Sequence, residues 1–190
     1  MSADGTERPG DESNVWPLLS TLVEIGTPWL RIVGERRLDA GGSEVDYWRI
    51  EKADSLLIVL RHSGRIVLPA PSYRPGVDRR CLDLAGGRID RSKDLASWAA
   101  KILRREFQLP AELDLGTITL LNEVGQDVDS SSSNQQLFGA LVDLDAGTID
   151  AERIGASFEA TAEGCAAAIA QLRCVQCRAI LSDLARSGLL

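Results

Sequence analysis

Short runs of alternating apolar and polar residues follow Trp29. Alternation with a period of two places one set of side chains on one face of a β-strand. The runs that predict strands are residues 30–37, 44–51, 55–62, 65–69 and 79–84. Gly41 and Gly42 separate the first two runs, and Ser63 and Gly64 separate the next two, so these strands are expected to form hairpins.

The apolar period then changes to that of a helix. Leu95, Ala99, Ile102 and Leu103 recur at the three- and four-residue spacing that gathers side chains on one helical face. Either Ser92 or Asp94 can cap the start of this helix, which is expected to run to about residue 107, before a proline.

The remaining pattern predicts two strands and then helices. Residues 117–124 and 136–144 read as strands around a serine-rich loop, and residues 160–172 and 174–186 read as amphipathic helices. A mixed sheet with helices is an α+β fold. The predicted organisation is a disordered acidic tail (1–15), one domain (16–150, core 29–144) and a C-terminal helical extension (151–190) packed on it.

The net charge of the chain bears on which binding partners are expected. The chain has 28 acidic and 21 basic residues, a formal charge of −7 that opposes broad binding to nucleic acid or to anionic membrane. The first residues lack the basic start and apolar segment of a secretory signal, and no apolar run is long enough to cross a bilayer. A cytoplasmic protein is expected.

The four cysteines are expected to be reduced thiols. Cys174 and Cys177 form a CxxC pair, but zinc would need two more ligands, and the one histidine, His62, is far away in the chain. A redox role would require the pair to open a helix after a strand. Because the apolar pattern before Cys174 is helical, the pair is interpreted as ordinary buried helix cysteines.

One segment carries a family resemblance. Ser72-Tyr73-Arg74-Pro75, then Leu82-Asp83-Leu84-Ala85-Gly86-Gly87, then Ile89-Asp90 and a helix resemble the Nudix hydrolase superfamily in its ADP-ribose pyrophosphatase-like branch. The resemblance covers roughly residues 29–144. It implies a Nudix-type mixed sheet sandwiched by helices (α/β/α) and a homodimer built by the N-terminal strands. Tyr73 and Arg74 would face a nucleotide diphosphate or, alternatively, form a surface loop fixed by proline.

The Nudix signature places glutamates where they hold the Mg²⁺ ions that activate water and a diphosphate. Counted from Gly87, its four acidic positions are occupied here by Lys93, Ile102, Arg105 and Glu106. Two basic residues and one aliphatic residue thus stand at three of the four acidic positions, and one acidic residue is retained. A unit charge about 4 Å away is worth roughly 4 kcal/mol at an effective dielectric near 20, so Mg²⁺ should bind poorly. Glu106 is then expected to pair with a basic side chain such as Arg105.

Further site residues follow from the resemblance and from charge. If the chain is active, Glu106 and the Ala85 carbonyl would hold Mg²⁺, with Asp127 or Asp129 as a base or late ligand; a solvated loop is the alternative for the two aspartates. If it is not active, no cofactor is expected. Basic side chains, among them Arg79, Lys93 and Arg105, could then bind a small phosphate-bearing ligand near a helix N-terminus, or form a solvated face.

Three hypotheses about function remain open. The chain is a nucleotide- or phosphate-ligand-binding or protein-interaction module without metal-dependent hydrolysis, or an active hydrolase of ADP-ribose or a related nucleoside diphosphate with an atypical metal site. A structural subunit held through the C-terminal helices is the third.

Overall fold

The computed structural model describes residues 15–27, 30–90, 93–144 and 147–190. Trp29, the alternative cap Ser92 and residues 1–14 lie outside these ranges, so the disordered tail stays a prediction. The described residues divide into two compact units. One contains the residues up to Lys52 with Ser131–Ser133, and the other contains Ala53–Ser130 and Asn134–Leu190. The organisation predicted from the sequence, with boundaries at residues 15 and 150, stays a prediction.

The first unit is an antiparallel sheet of three strands. In spatial order these are β1 (Leu18–Gly26), β2 (Leu30–Leu38) and β3 (Glu44–Lys52). β2 and β3 are the first two predicted strands, whereas β1 was not predicted because LLSTLVEIG lacks regular alternation. Glu35 of β2 is buried, and its carboxylate accepts hydrogen bonds from Arg37 and Arg49. These two guanidinium groups lower the pKa of Glu35 to about 2, Arg49 having the larger effect.

The second unit is built on a seven-stranded mixed sheet, with the main order β10-β11-β4-β5-β12; β8 pairs with β4, and β9 pairs with β11. Only β4 and β11 are parallel neighbours in this sheet as described. The strands are β4 (Asp54–His62), β5 (Arg65–Pro69), β8 (Ala85–Ile89), β9 (Thr117–Leu120), β10 (Gln126–Asp127), β11 (Gln136–Leu144) and β12 (Ile154–Glu159). A separate hairpin consists of β6 (Ser72–Arg74) and β7 (Arg79–Cys81).

The helices of this unit are α1 (Leu95–Phe107), α2 (Ala162–Gln171) and α3 (Val175–Ser187). Alternate side chains of β4 lie on opposite faces of the sheet, and the helices cover these faces in two layers. Leu56, Ile58 and Leu60 pack in a core with α1, while Leu57 and Val59 pack in a second core with α2 and α3. Both faces of β4 are therefore buried, as its unbroken apolar run requires. The α+β class with helices on both sides of a mixed sheet is confirmed.

The ends of α1 agree with its local sequence. Asp94 is the N-cap, and its carboxylate accepts from the Ser97 N–H at 2.7 Å. Gln108 ends the helix in the left-handed conformation, before Pro110. The predicted helix is confirmed with the second of its two possible caps.

Three predicted elements differ from the structure. The expected strand 79–84 is wrong, since β7 ends at Cys81 and pairs with β6, and β8 begins at Ala85 and pairs with β4. The strand predicted over 117–124 ends at Leu120. The segment after residue 150 is not purely helical, because β12 pairs with β5 before α2 and α3 follow. In the part of the chain that is described, no helix has the length and apolar character needed to span a membrane.

Candidate functional site

Two glycines of β8 stand where a side chain would meet a neighbouring element, which is β4 at Gly86 and α1 at Gly87. A Cβ atom on Gly86 would lie 2.4 Å from Leu57 Cδ2 and 3.2 Å from the Leu56 carbonyl oxygen. A Cβ atom on Gly87 would lie 3.3 Å from Arg105 Nη2. Glycine is therefore required at Gly86 by close packing, and at Gly87 it leaves room for the side chain of Arg105.

The guanidinium of Arg105 fills this corner. Its Nη2 donates to the Gly86 carbonyl at 2.6 Å and to Glu106 Oε1 at 2.5 Å, and its Nε donates to the same carboxylate oxygen at 3.0 Å. The ion pair expected between Arg105 and Glu106 is thus present. We call Gly86, Arg105 and Glu106 the arginine corner.

The other positions that the sequence resemblance singled out make structural contacts. Ile102 is buried in the core beneath β8. Lys93 and Lys101 place their ammonium groups 5.7 and 4.7 Å from the centre of the Trp98 ring, as cation–π contacts. Ala85 is buried in β8 opposite Ile58. None of these side chains offers a carboxylate oxygen.

The loop aspartates are exposed. Asp127 lies in β10, where its carboxylate accepts from Gln136 Nε2 at 3.2 Å, and Asp129 follows in the loop before β11. Within residues 15–27, 30–90, 93–144 and 147–190, no cluster of three or more potential metal ligands includes Asp127, Asp129 or Glu106.

A cleft of about 770 Å³ lies beside β8, between the β6–β7 hairpin and the start of α3. Its walls include one aspartate, Asp83, and several arginines. The arginines are Arg74, Arg79, Arg80, Arg88 and Arg173. The cleft is thus locally basic in an acidic chain. We call it the arginine cleft.

The predicted ligand-binding residues divide into two groups. Arg74 and Arg79 line the arginine cleft, whereas Tyr73, Lys93 and Arg105 are not among its lining residues. The Tyr73 hydroxyl instead donates to the Asp78 carboxylate, and this hydrogen bond raises the pKa of Tyr73.

Arg79 and Arg173 differ from Arg74 and Arg80, whose guanidinium groups are held by the protein. Arg74 Nε is bound to Asp83 Oδ2 at 2.9 Å, and Arg80 donates to the Pro71 carbonyl. Among the described residues, Arg79 and Arg173 have no ion-pair partner, and both are exposed. Arg173 was missed by the sequence analysis, because it lies far along the chain from the hairpin and no local motif marks it.

The predicted placement of the CxxC pair within a continuing helical pattern is wrong. α2 ends at Gln171, Leu172 and Cys174 have extended backbone, and Cys174 is the N-cap of α3. Cys177 is therefore in the first turn of a helix that the pair opens. The continuous apolar pattern concealed this break, because Leu172 is buried although it lies between the helices.

The two cysteines lie beside Asp83 in the wall of the arginine cleft. The Sγ atoms of Cys174 and Cys177 and a carboxylate oxygen of Asp83 all lie within 4.8 Å of one another. The Leu84 N–H donates to Cys177 Sγ at 3.4 Å. We call Asp83, Cys174 and Cys177 the thiol cluster. In the described ranges it is the one group of three or more such ligands.

The pair is electrostatically asymmetric. A hydrogen bond from Cys177 lowers the pKa of Cys174 to about 6, although burial and the Asp83 charge oppose this shift. The same hydrogen bond, with burial, raises the pKa of Cys177. Cys174 is half-buried and Cys177 is buried, so the thiolate is favoured on the accessible sulfur.

Comparison with known proteins shows the fold. No family model matches the sequence, and no curated protein is significantly similar to it. A solved structure described as an ADP compounds hydrolase superposes with a TM-score of 0.68 over 90% of this chain and 92% of that one, at 14% identity. The chain has a Nudix-like fold.

Mg²⁺ is the ion that a Nudix-like fold implies, and the residues present do not fit it. In the arginine corner a guanidinium already occupies the space between a backbone carbonyl and Glu106. A second cation there would face a full positive charge with one carboxylate to bind it.

Proposed function

We propose that this chain binds a small phosphate-bearing ligand in the arginine cleft without hydrolysing it by the Mg²⁺ route. The observation that carries the proposal is Arg105, whose guanidinium bonds to Glu106, the carboxylate that a metal would use, and to the carbonyl of Gly86 beside Ala85.

Size and charge support a nucleotide-sized anion. A cleft of about 770 Å³ lies within the range of small-molecule sites. Five arginines against one aspartate give its walls a positive balance. Arg79 and Arg173, which have no ion-pair partner in the described ranges, are available for bidentate hydrogen bonds to phosphate oxygens.

The first compounds to test are nucleoside diphosphates. The structural neighbour is named for hydrolysis of ADP compounds, and a protein that keeps this fold but loses the metal ligands is expected to keep the ligand class. ADP-ribose and ADP serve as probes, with adenosine as the probe that lacks phosphate.

Binding is measured by titration calorimetry on the full chain. ADP-ribose or ADP is expected to bind, and adenosine is not. Arg79→Ala and Arg173→Ala are each expected to weaken binding by roughly tenfold, since a hydrogen bond to a charged group contributes about 1.5–3 kcal/mol and solvent screening reduces it. Arg178→Ala is the matched control, because Arg178 is an exposed arginine of α3 outside the cleft lining.

Turnover is measured in parallel with Mg²⁺ or Mn²⁺. The proposal expects no release of product from ADP-ribose. Robust turnover that Glu106→Gln abolishes would instead support an active hydrolase with an atypical metal site. Equal binding by the wild type, Arg79→Ala and Arg173→Ala would reject the cleft as the site.

We also propose that the sheet of the first unit forms a homodimer. β1 is its edge strand, and it exposes five large apolar side chains: Leu18, Leu19, Leu22, Val23 and Ile25. An exposed, apolar edge is a site for pairing with another chain. Light scattering should give a dimer mass for the wild type and a monomer mass for Leu22→Lys; a monomeric wild type would reject this arrangement.

A further inference from the structure

The thiol cluster combines donors from two separate parts of the second unit. Asp83 lies between β7 and β8, whereas Cys174 and Cys177 open α3. The N-cap and the third helical residue face the same side of a helix start, so both sulfurs point toward one place. The fold therefore brings a hard oxygen donor to a pair of soft sulfur donors.

The geometry of these donors is close to that of a metal site. Asp83 Oδ1 lies 4.0 Å from Cys177 Sγ. In a tetrahedral zinc site with Zn–S of about 2.3 Å and Zn–O of about 2.0 Å, neighbouring ligand atoms are about 3.5–3.8 Å apart. Small side-chain movements would bring the three donors to that spacing.

The hydrogen bonds around the cluster hold its donors in place. Arg74 binds Oδ2 of Asp83 at 2.9 Å, which orients Oδ1 toward the sulfur of Cys177. The Leu84 N–H donates to the same sulfur. Outer partners of this kind commonly orient metal ligands. Asp83 is also mostly buried, its side chain being 13% exposed.

We propose that Asp83, Cys174 and Cys177 form a binding site for a thiophilic divalent cation, zinc, in the wall of the arginine cleft. Two thiolates and a carboxylate match zinc rather than Mg²⁺, because soft sulfur ligands select against hard cations. Three protein ligands leave a fourth position for water or for a ligand in the cleft. The dication and Arg74 together balance the three negative charges.

The site is tested with the full-length chain, reduced and freed of metal. Titration with Co²⁺ should give one equivalent bound, with the visible bands of a tetrahedral complex and a thiolate-to-cobalt charge-transfer band in the near ultraviolet. Zn²⁺ should displace the cobalt and abolish these bands, and Mg²⁺ should not.

Variants distinguish the cluster from other thiols. Cys174→Ser removes one of the proposed ligands, so it should either remove the charge-transfer band or weaken metal binding. The loss of affinity should exceed the roughly 10–100-fold that follows when a hydrogen-bond partner of a metal ligand is removed. Asp83→Asn, which keeps an oxygen for Arg74, should weaken binding by at least about tenfold. Cys81→Ser is the control, because Cys81 lines the same cleft outside the cluster and should retain binding.

Three results would overturn the proposal. One is the absence of cobalt bands in the reduced wild type, and another is unchanged binding in Cys174→Ser. The third is a Cys174–Cys177 disulfide in the isolated protein together with no metal binding after reduction, which would make the pair a redox dithiol. Cys177→Ser changes a buried side chain and is a second variant of the cluster. If it fails to fold, Cys174→Ser still tests the proposal, since Cys174 is half-buried at a helix start.

Discussion

Asp83 and Gly86 lie three residues apart in the chain, and each accepts a hydrogen bond from an arginine, yet their other surroundings differ. At Gly86 the arginine is Arg105, which is also paired with Glu106. At Asp83 the carboxylate is paired with Arg74 and lies beside two sulfur atoms as well. The arginine corner thus offers a cation and one carboxylate, whereas the thiol cluster offers two sulfurs and a carboxylate oxygen. The comparison teaches that two positions three residues apart can gather different kinds of donor when distant elements pack against them.

A third carboxylate, that of Glu35, shows how burial changes the contribution of a paired arginine. Glu106 is paired with one arginine and its side chain is 29% exposed, whereas Glu35 is paired with two and its side chain is 4% exposed. A guanidinium beside an exposed carboxylate contributes little, and one beside a buried carboxylate offsets a large desolvation cost. Glu35 therefore shows what paired arginines contribute to a carboxylate from which water is largely excluded.

The largest effect is expected from Glu35→Gln. Removal of the Glu35 charge leaves Arg37 without its carboxylate and Arg49 with Glu51 alone, which costs about 3 kcal/mol in the free energy of unfolding. Urea denaturation of the full chain measures it. Glu24→Gln is the control, because Glu24 is exposed and paired with Arg31, and it should change stability far less. Equal losses in both variants would contradict the role of burial.

The same pair predicts a pH dependence. The pKa of Glu35 is about 2 in the folded chain and 4.5 ordinarily, so the carboxylate stabilises the fold fully above pH 4.5. This contribution is lost progressively as the pH falls from 4.5 through 2. Denaturation curves at several pH values should therefore show a smaller acid-induced loss in Glu35→Gln than in the wild type. Parallel pH profiles would show that Glu35 titrates normally.

Metal addition tests the comparison directly. Zn²⁺ at 100 times its Kd should raise the free energy of unfolding of the reduced chain by about 2.7 kcal/mol, because it binds the folded state at the thiol cluster. Mg²⁺ at the same concentration should have no such effect. Thermal denaturation measures both, and a chelator should reverse the zinc shift. Stabilisation by Mg²⁺ would mean that the arginine corner still accepts a metal.

The smallest effect is expected from Arg105→Glu. The change removes the guanidinium and adds a second carboxylate beside Glu106, so Mn²⁺ affinity should rise by roughly tenfold after allowance for solvent screening of a side chain that is 60% exposed. Paramagnetic relaxation of water reports bound Mn²⁺. Arg105→Gln is the matched control, since it removes the cation without adding an acid. No gain in either variant would show that Arg105 is not what opposes metal binding.

Local features of the chain could be predicted, and distant pairings could not. The helix from Leu95 to Phe107 follows from apolar spacing and a nearby cap. The Arg105–Glu106 pair joins neighbours. β12 was missed because its partner, β5, lies far earlier in the chain. The strand predicted over 79–84 was divided because its two ends pair with different partners.

The sequence by itself determined that this chain builds a mixed sheet with helices and that the helix from Leu95 to Phe107 carries a single acid, Glu106. Both conclusions depend on residue types at fixed local spacings. Only the tertiary structure decided what surrounds Asp83. Cys177 is 94 positions away from it, and no local period relates the two. Their contact exists because α3 packs against the sheet through buried Ile180, Leu181 and Leu184, which brings the start of the helix to the loop before β8.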